Sequence, residues 1–298
     1  MLDELLAQVN TLKARIDGIP TLLKRFRQSV LAAAVSGRLT DEWRGQNGIQ
    51  HSGESPEVVK DLENVVWPVV RLAQVARDFS YGSSAKSKPL GDIPVLRMGN
   101  IQSGRIDWSN LVFSSDRDEI KKYPLNAGDV LFNRTNSPEL VGKTAIYKGE
   151  RPAIYAGYLV RVRCSERLNP DFLNYCLNSP QGREYCWQVK TDGVSQSNIN
   201  AKKLANFSFG LPPIDEQTEI VRRVEQLFTF ADQLEARVKA AQARIDRLTQ
   251  SILAKAFRGE LVPQDPNDEP ASVLLERIKA QRVAAPKARR GRQATKLS

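Results

Sequence analysis

Histidine and cysteine are scarce in this chain. Its 298 residues contain one histidine, His51, and three cysteines, Cys164, Cys176 and Cys186, with no closely spaced Cys-x-x-Cys pair. Structural zinc requires four Cys or His ligands at characteristic spacing, so we expect no zinc site. An odd number of scattered cysteines does not resemble a disulfide framework, and it predicts a reducing compartment, which we take to be the cytoplasm.

Long apolar runs are also missing. No stretch of 18 or more apolar residues occurs, so no membrane span is expected. The first ten residues, MLDELLAQVN, are acidic and amphipathic and do not resemble a signal peptide. The apolar fraction of 41% is nevertheless sufficient for a folded core.

Motifs of several enzyme classes are incomplete. The segment Val141–Thr144, VGKT, lacks the glycine that a P-loop carries five residues earlier, and no glycine-rich cofactor loop follows a predicted strand. The segment Asn169–Phe172, NPDF, lacks the second proline of the adenine methyltransferase loop, and a helix start capped by Asn169 explains it better. The lone His51 falls in a polar linker, which removes the usual base for a catalytic nucleophile.

Three residues leave one enzymatic alternative open. Asp107, Glu119 and Lys121 could form a magnesium-dependent nuclease site, because magnesium binds clustered carboxylates. Their loose spacing makes this motif weak, and the surrounding strand and turn pattern accounts for the same residues.

Positive charge is abundant. The net charge is +10, and residues 67–211 carry 20 Lys and Arg against 13 Asp and Glu. Such a balance favours a polyanionic partner, and nucleic acid is the first candidate. The simpler explanation is that the positive charge only keeps the protein soluble. Residues 279–298 contain seven Lys and Arg and no acidic residue, which predicts a disordered basic tail.

One sequence appears twice. RFRQSVLAAAVSGRL at Arg25–Leu39 recurs as RLTQSILAKAFRGEL at Arg247–Leu261, 222 positions later. Apolar residues around both copies alternate in steps of three and four, which is the heptad pattern of a coiled-coil seam. The predicted seam consists of Leu12, Ile16, Leu23, Phe26, Val30, Leu234, Val238, Ile245, Leu248 and Ile252. We expect the two ends to pair as an antiparallel coiled coil, while pairing of each end with another chain is the alternative.

The helix boundaries are also marked. Pro212 and Pro213 precede an acidic first turn, and Gly259 lies where a glycine cap is expected, so a helix should cover about residues 215–258. Gly37 should cap the first copy in the same way. Gly18 and Pro20 should break or kink the N-terminal helix.

Residues 67–211 have a different pattern. Short β-like runs alternate with turn signals, and one helix is predicted from Pro170. The predicted fold is therefore α+β, with one mixed α/β domain flanked by two long heptad helices. We expect helices at 1–45, a linker at 46–66, the domain at 67–211, a long helix and a short following helix at 212–278, and the tail at 279–298.

Polar and basic residues of the domain concentrate in four predicted loops. Arg, Asn, Gln, Ser and Thr are the residue types that contact base edges and phosphates. The candidate DNA-binding residues are Tyr81, Ser83, Lys86, Arg97, Asn100, Arg105, Arg134, Thr135, Asn136, Lys143, Lys190, Ser195, Gln196, Ser197 and Asn198.

Four segments of the sequence are distinctive: Leu125–Tyr147, Gly193–Phe228, Leu248–Pro263 and Arg25–Arg44. In these segments the chain resembles the DNA-specificity subunits of type I restriction–modification systems. The resemblance implies a non-catalytic protein whose target-recognition domain reads one half of a split DNA sequence. It also implies that the repeated helices are spacers that dock methyltransferase subunits, with a restriction and translocase subunit attached indirectly. S-adenosylmethionine is then expected only on the partner, and this chain needs no cofactor or metal.

The chain has two spacer segments and one recognition domain, whereas the family's plan has two such domains. We therefore expect a half-subunit, a split gene product or a truncated form. A homodimer or a second specificity chain would supply the other half of the site. The alternative is an assembly protein of the same complex that contacts DNA only incidentally.

Overall fold

The computed structural model describes residues 2–47, 66–262, 267 and 269–284. Most of the predicted linker, including His51, and the predicted tail beyond residue 284 lie outside the described residues. No helix in these ranges is long and apolar enough to cross a membrane.

The described chain contains nine α-helices and fourteen strands. The helices are α1 (Leu2–Asp17), α2 (Ile19–Val35), α3 (Asp41–Gln46), α4 (Arg117–Lys122), α5 (Pro170–Asn178), α6 (Pro180–Val189), α7 (Ala201–Ala205), α8 (Ile214–Phe257) and α9 (Ala271–Ala284). The strands are β1 (Val69–Arg71), β2 (Ala76–Tyr81), β3 (Ile93–Leu96), β4 (Ile101–Gln102), β5 (Arg105–Ile106), β6 (Val112–Ser114), β7 (Val130–Asn133), β8 (Thr135–Asn136), β9 (Thr144–Ile146), β10 (Ile154–Tyr155), β11 (Leu159–Cys164), β12 (Thr191–Asp192), β13 (Ser197–Asn198) and β14 (Ser208–Gly210).

The long C-terminal helix forms as the sequence predicts. Helix α8 has 44 residues, begins directly after the two prolines and carries acidic residues in its first turn. Its end is a Schellman-type cap, because Gly259 adopts φ +72° and Glu260 N–H donates to Lys255 O at 2.9 Å. Gly37 has φ +84° after α2, so both predicted glycine caps are confirmed.

The N-terminal helical segment is interrupted where expected. Helix α1 ends at Asp17 and α2 begins at Ile19, with Pro20 in its first turn. Proline has no N–H to donate to the carbonyl four residues earlier, so the ladder of helical hydrogen bonds cannot run unbroken through this point.

The chain forms two compact units, Gly18–Val238 and a second one made of Met1–Asp17 with Lys239–Ser298. In the larger unit, Arg27 Nη2 lies 2.6 Å from Asp232 Oδ1, and Arg223 Nη1 donates to Leu39 O at 2.8 Å. From Arg27 to Leu39 the contacted residue moves back from Asp232 to Arg223, so α2 and α8 run antiparallel.

The smaller unit contains the other ends of the same helical regions. Lys13 Nζ lies 3.0 Å from Asp246 Oδ1, and Gln242 Nε2 donates to Asp17 Oδ1 at 2.9 Å. The direction is antiparallel here too. The predicted fold class, a mixed α/β domain flanked by long antiparallel helices, is confirmed.

The domain is built on a four-stranded antiparallel sheet with the order β2-β11-β7-β9. The β-like runs of the sequence are WPVVRL, IPVLRM, LVF, DVLFNR, TAIY and YLVRVR, and they overlap strands β1, β3, β6, β7, β9 and β11 respectively. Strand β7 is buried along its whole length, which explains its run of consecutive apolar residues. The remaining strands form smaller ribbons at the rim: β10-β3-β6, β12-β13-β8, β4-β5 and β1-β14.

Helix α5 starts where the NPDF motif lies. Asn169 Oδ1 accepts hydrogen bonds from Asp171 N–H at 2.9 Å and Phe172 N–H at 3.4 Å, and Pro170 occupies the first turn. Asn169 is thus a helix cap, as the sequence predicts.

The domain and the helices of the larger unit share one core. Leu31 and Ala34 of α2, Phe172 of α5 and Ile220 of α8 belong to the same buried cluster. Strand β1 pairs antiparallel with β14, so the entry to the domain and its exit toward α8 lie side by side. Packed apolar residues therefore join the domain to α2 and α8.

A buried ionic network lies at the start of α8. The Glu216 carboxylate accepts hydrogen bonds from Arg44 Nη1 at 2.5 Å, Thr40 Oγ1 at 2.7 Å and Trp67 Nε1 at 2.9 Å. Arg44 also donates to Gly37 O at 2.7 Å. This network joins the segment after α2, the first residues of the domain and the first turn of α8.

Candidate nucleic-acid interface

The largest group of candidate residues lies on a small polar ribbon formed by β12, β13 and β8. Strand β13 pairs antiparallel with β8 on one side and with β12 on the other. This brings Thr135 and Asn136 beside Ser197 and Asn198, although more than 60 residues separate the two pairs. Asn198 Nδ2 donates to Thr135 Oγ1 at 2.8 Å, which fixes both side chains.

The tip of the β12–β13 hairpin is exposed. Gly193 N–H donates to Gln196 O at 2.8 Å and closes the turn, and Ser195 and Gln196 face solvent. Neither the Ser195 hydroxyl nor the Gln196 amide has a hydrogen-bond partner in the described part of the chain. These two side chains are free to contact a ligand.

An ion pair and neighbouring hydrogen bonds stabilise the base of the same hairpin. Lys190 Nζ donates to both carboxylate oxygens of Asp192 at 2.6 Å and lies 4.2 Å from the Trp187 ring centroid. The Ser197 hydroxyl also donates to Asp192. Hydrogen bonds from Lys190 and Ser197 hold the pKa of Asp192 below its usual value, so this carboxylate stays ionised.

Arg134 and Tyr81 flank the ribbon. The Arg134 guanidinium lies 4.7 Å from the Tyr81 ring centroid, and Arg134 O accepts the N–H of Ile199 at 2.9 Å just after β13. The Tyr81 hydroxyl accepts from Ala201 N–H at 3.0 Å. The Arg134 guanidinium is thereby held over an aromatic ring at the edge of the ribbon.

Three candidates are buried and bonded inside the protein. Asn100 accepts from Arg97 N–H at 3.0 Å and donates to the carbonyls of Asp107 and Ser109 at 2.9 and 3.0 Å. Ser83 and Ser197 are also buried. Their polar atoms hold loops in shape, and a DNA molecule cannot reach these side chains in this arrangement.

The other candidates lie apart from the ribbon. Arg97 Nη2 donates to Asn110 O at 3.0 Å, and Lys86 is exposed in the loop after β2. Arg105 Nη1 forms an ion pair with Asp232 Oδ2 at 3.0 Å, and Lys143 Nζ lies 3.4 Å from Gln102 Oε1. Arg105 and Lys143 share a cavity that faces helices α2 and α8.

The predicted seam residues differ in burial. Leu23, Val30 and Val238 are buried. Ile16, Phe26, Leu234, Ile245 and Ile252 are partly buried. Leu12 and Leu248 are half exposed within the single chain.

Two exposed aromatic residues were not among the candidates. Trp187 and Tyr158 both have large exposed rings. Trp187 lies on α6, three residues before Lys190, which is the C-cap residue of that helix. This short spacing was the only sequence signal that linked Trp187 to the candidate Lys190.

The magnesium-nuclease alternative finds no cluster of ligands. Among the described residues, no group of three or more His, Cys, Asp or Glu could hold a metal ion. The Asp107 carboxylate instead accepts from Ser109 N–H at 2.9 Å, and bonds from Ser109 lower its pKa.

Solved structures include a chain with a similar fold. It comes from a study titled "Structural basis underlying complex assembly and conformational transition of the type I R-M system" and matches with a TM-score of 0.56 and 22% identity. The match covers 87% of this chain and 60% of that one.

Sequence comparison defines the family. Residues 64–241 match the type I restriction modification DNA specificity domain. The type I restriction enzyme EcoKI specificity subunit of Escherichia coli (strain K12) is 38% identical over 297 residues, covering 95% of this chain and 61% of the relative. The StySPI specificity subunit of Salmonella potsdam shows the same identity and coverage. The chain belongs to the type I restriction–modification DNA specificity family, as its sequence predicted, and it spans about three fifths of the length of these relatives.

Proposed function

We propose that this chain is the non-catalytic specificity component of a type I restriction–modification complex and that its single recognition domain reads one DNA half-site. The observation that carries this proposal is the ribbon β12-β13-β8, because it presents Ser195 and Gln196 at an exposed tip beside the stacked Arg134. Amide, hydroxyl and guanidinium groups are the donors and acceptors that distinguish bases in the major groove.

The proposed contacts divide into two sets. Residues with accessible polar atoms contact DNA, and these are Tyr81, Lys86, Arg97, Arg105, Arg134, Thr135, Asn136, Lys143, Ser195, Gln196 and Asn198. The buried Ser83, Asn100 and Ser197 act indirectly, since they hold the loops that carry the contacts. Lys190 belongs to this second set, because its side chain is only 8% exposed and is bound to Asp192.

The long helices carry the proposed partner contacts. Methyltransferase subunits dock on them and bring S-adenosylmethionine, and a restriction and translocase subunit joins through those subunits. The relatives named as type I restriction enzyme specificity subunits support this assignment. An assembly protein with incidental DNA contact would share these helices but would show no preference for a half-site.

The second half of the target requires a second recognition domain. We propose that two copies of this chain pair around a two-fold axis, since isologous dimers are the commonest closed assemblies. Two identical domains would then read identical half-sites in inverted orientation, and the target would be an interrupted palindrome.

Methylation mapping tests these proposals together. The chain is expressed with its methyltransferase in a host, and the methylated motif is determined across the genome. We expect one motif with inverted identical halves, and no methylation or cleavage by the purified chain alone. A motif with unrelated halves would show that a different specificity chain supplies the second domain. Methylation that does not depend on this chain would contradict the specificity role itself.

A further inference from the structure

A cavity of about 690 Å³ opens in the Gly18–Val238 unit, and none of its lining residues belongs to the ribbon β12-β13-β8. Helices α2 and α8, the β4–β5 hairpin, the segment before β9 and helices α5 and α6 contribute to its walls. Six cationic side chains line it: Lys24, Arg27, Arg105, Lys143, Lys148 and Arg183.

Three of these cations have acidic partners. Arg27 and Arg105 both bind Asp232, at 2.6 and 3.0 Å, and Lys148 Nζ lies 2.6 Å from Asp171 Oδ1. Their charge is therefore compensated within the protein.

The other three cations, Lys24, Lys143 and Arg183, have no acidic partner. In the described part of the chain, no carboxylate lies within ion-pair distance of any of them. Glu139, Glu225 and Glu235 also line the cavity. The three cations therefore lack ion-pair partners in a cavity that also carries acidic side chains.

The wall that carries Lys143 is rigidly built. Arg183 donates to Val141 O at 2.8 Å and to Glu139 O at 2.7 Å, so α6 holds the segment just before Lys143. Gly142 has φ +84°, and a Cβ atom there would come within 2.5 Å of Cys186 Sγ. Only glycine lets this segment pack so closely on α6.

The position of Lys143 is electrostatically unfavourable without a counter-ion. Burial lowers the pKa of Lys143, and the charges of Arg183 and Lys24 lower it further. An anion between these groups would reduce the like-charge repulsion and give the Lys143 ammonium a stronger acceptor than Gln102 Oε1, which lies 3.4 Å away.

We propose that Lys24, Lys143 and Arg183 form a binding site for a phosphate group. Three cations from α2, from the segment before β9 and from α6 suit a doubly charged oxyanion with several acceptor oxygens. The phosphate belongs either to a DNA backbone or to a small phosphorylated compound, and both present the same oxygens to the site.

Titration of the full chain with inorganic phosphate at constant ionic strength tests the site. Lys143→Met and Lys24→Met keep the apolar stem and remove one charge, and each should weaken phosphate binding roughly ten- to a hundredfold. The matched control is Lys148→Met, which removes a cation of the same cavity but one already paired with Asp171. It should cause a smaller loss than either of the other two.

The source of the phosphate is decided by a second measurement. Binding of a random duplex of about 30 base pairs is measured across salt concentrations, where each lost phosphate contact flattens the slope by about one. A flatter slope for Lys143→Met would identify a DNA phosphate as the ligand, and an unchanged slope would identify a small phosphorylated compound.

Two results would overturn the site: no phosphate binding by the unsubstituted chain, or equal binding by Lys143→Met. The duplex measurement rests on the proposed DNA-binding function, whereas the phosphate titration does not. A chain that binds phosphate here but no DNA would contradict the proposed function and leave the site intact.

Discussion

Replacing Glu216 by glutamine should destabilise the protein far more than an ordinary helix substitution. Glu216 is fully buried, and its two carboxylate oxygens accept three hydrogen bonds, from Arg44, Thr40 and Trp67. Arg44 is only 4% exposed, so the buried charge of its guanidinium is compensated mainly by this carboxylate. Glutamine has the same shape, but it is neutral and replaces one acceptor oxygen with an NH₂ donor.

The expected cost follows from the charge that remains. Removing one partner of a buried ion pair costs about 3–5 kcal/mol, because the other partner stays buried without compensation. Asp41 lies 3.1 Å from Arg44 and moderates the loss, but its side chain is largely exposed and the solvent weakens that contact. We therefore expect about 3 kcal/mol for Glu216→Gln.

Urea unfolding followed by tryptophan fluorescence measures this cost, since Trp67 is part of the network. The matched control is Glu225→Gln, an exposed carboxylate on the same helix, which should cost less than about 0.5 kcal/mol. The double variant Glu216→Gln with Arg44→Met removes both charges and should recover much of the loss. Equal costs for Glu216→Gln and Glu225→Gln, or additive costs in the double variant, would refute the buried-pair explanation.

Three further outcomes are expected. Gln196→Ala should weaken specific DNA binding by about 1–3 kcal/mol with unchanged stability, while Asn100→Ala should lower stability. If Gln196→Ala lowered stability instead and Asn100→Ala weakened DNA binding at unchanged stability, the division into contacting and buried residues would be wrong. Hydrogen bonds from Arg222, with Arg223, lower the pKa of Glu219 to about 2, so its stabilising effect is present above pH 4.5 and is lost as pH falls toward 2. A carboxyl NMR titration should show that pKa, and a value near 4.5 would exclude the pairing. Deleting residues 286–298 should flatten the salt dependence of DNA binding, and an unchanged slope would favour a tail that acts only on solubility.

Local sequence signals predicted the long helices, helix α5 and six of the fourteen strands. The heptad pattern, the paired prolines and the positive-φ positions Gly37 and Gly259 act within a few residues, so they are visible in one dimension. Strand β2 was not predicted, because its sequence ARDFSY is only partly buried and lacks a continuous apolar run. The heptads also do not reveal how deeply each residue is buried, as the half-exposed Leu12 and Leu248 show.

The sequence predicted the candidate site less completely. A polar residue in a loop can face solvent or hold the loop together, and both roles select the same residue types. Gln196 and Asn100 illustrate the two outcomes, exposed at a hairpin tip and buried among carbonyl groups. The cluster of Lys24, Lys143 and Arg183 lines one cavity although its members lie 40 to 159 positions apart, and no local pattern encodes this arrangement.

Arg105 is the candidate whose role a single substitution cannot define. Its ion pair with Asp232 is exposed, at 65% and 43% for the two side chains, so the pair itself contributes at most about 1 kcal/mol. A DNA phosphate can therefore compete with Asp232 for the guanidinium. If it does, Arg105→Ala should weaken DNA binding and flatten its salt dependence by about one unit, whereas Asp232→Asn should free Arg105 and tighten binding. In the Arg105→Ala background, Asp232→Asn should then lose most of this effect, which separates release of Arg105 from a general change in charge. Equal weakening by both single substitutions, with no further loss in the double variant, would instead show that the pair orients the β4–β5 hairpin on α8 and that Arg105 does not contact DNA.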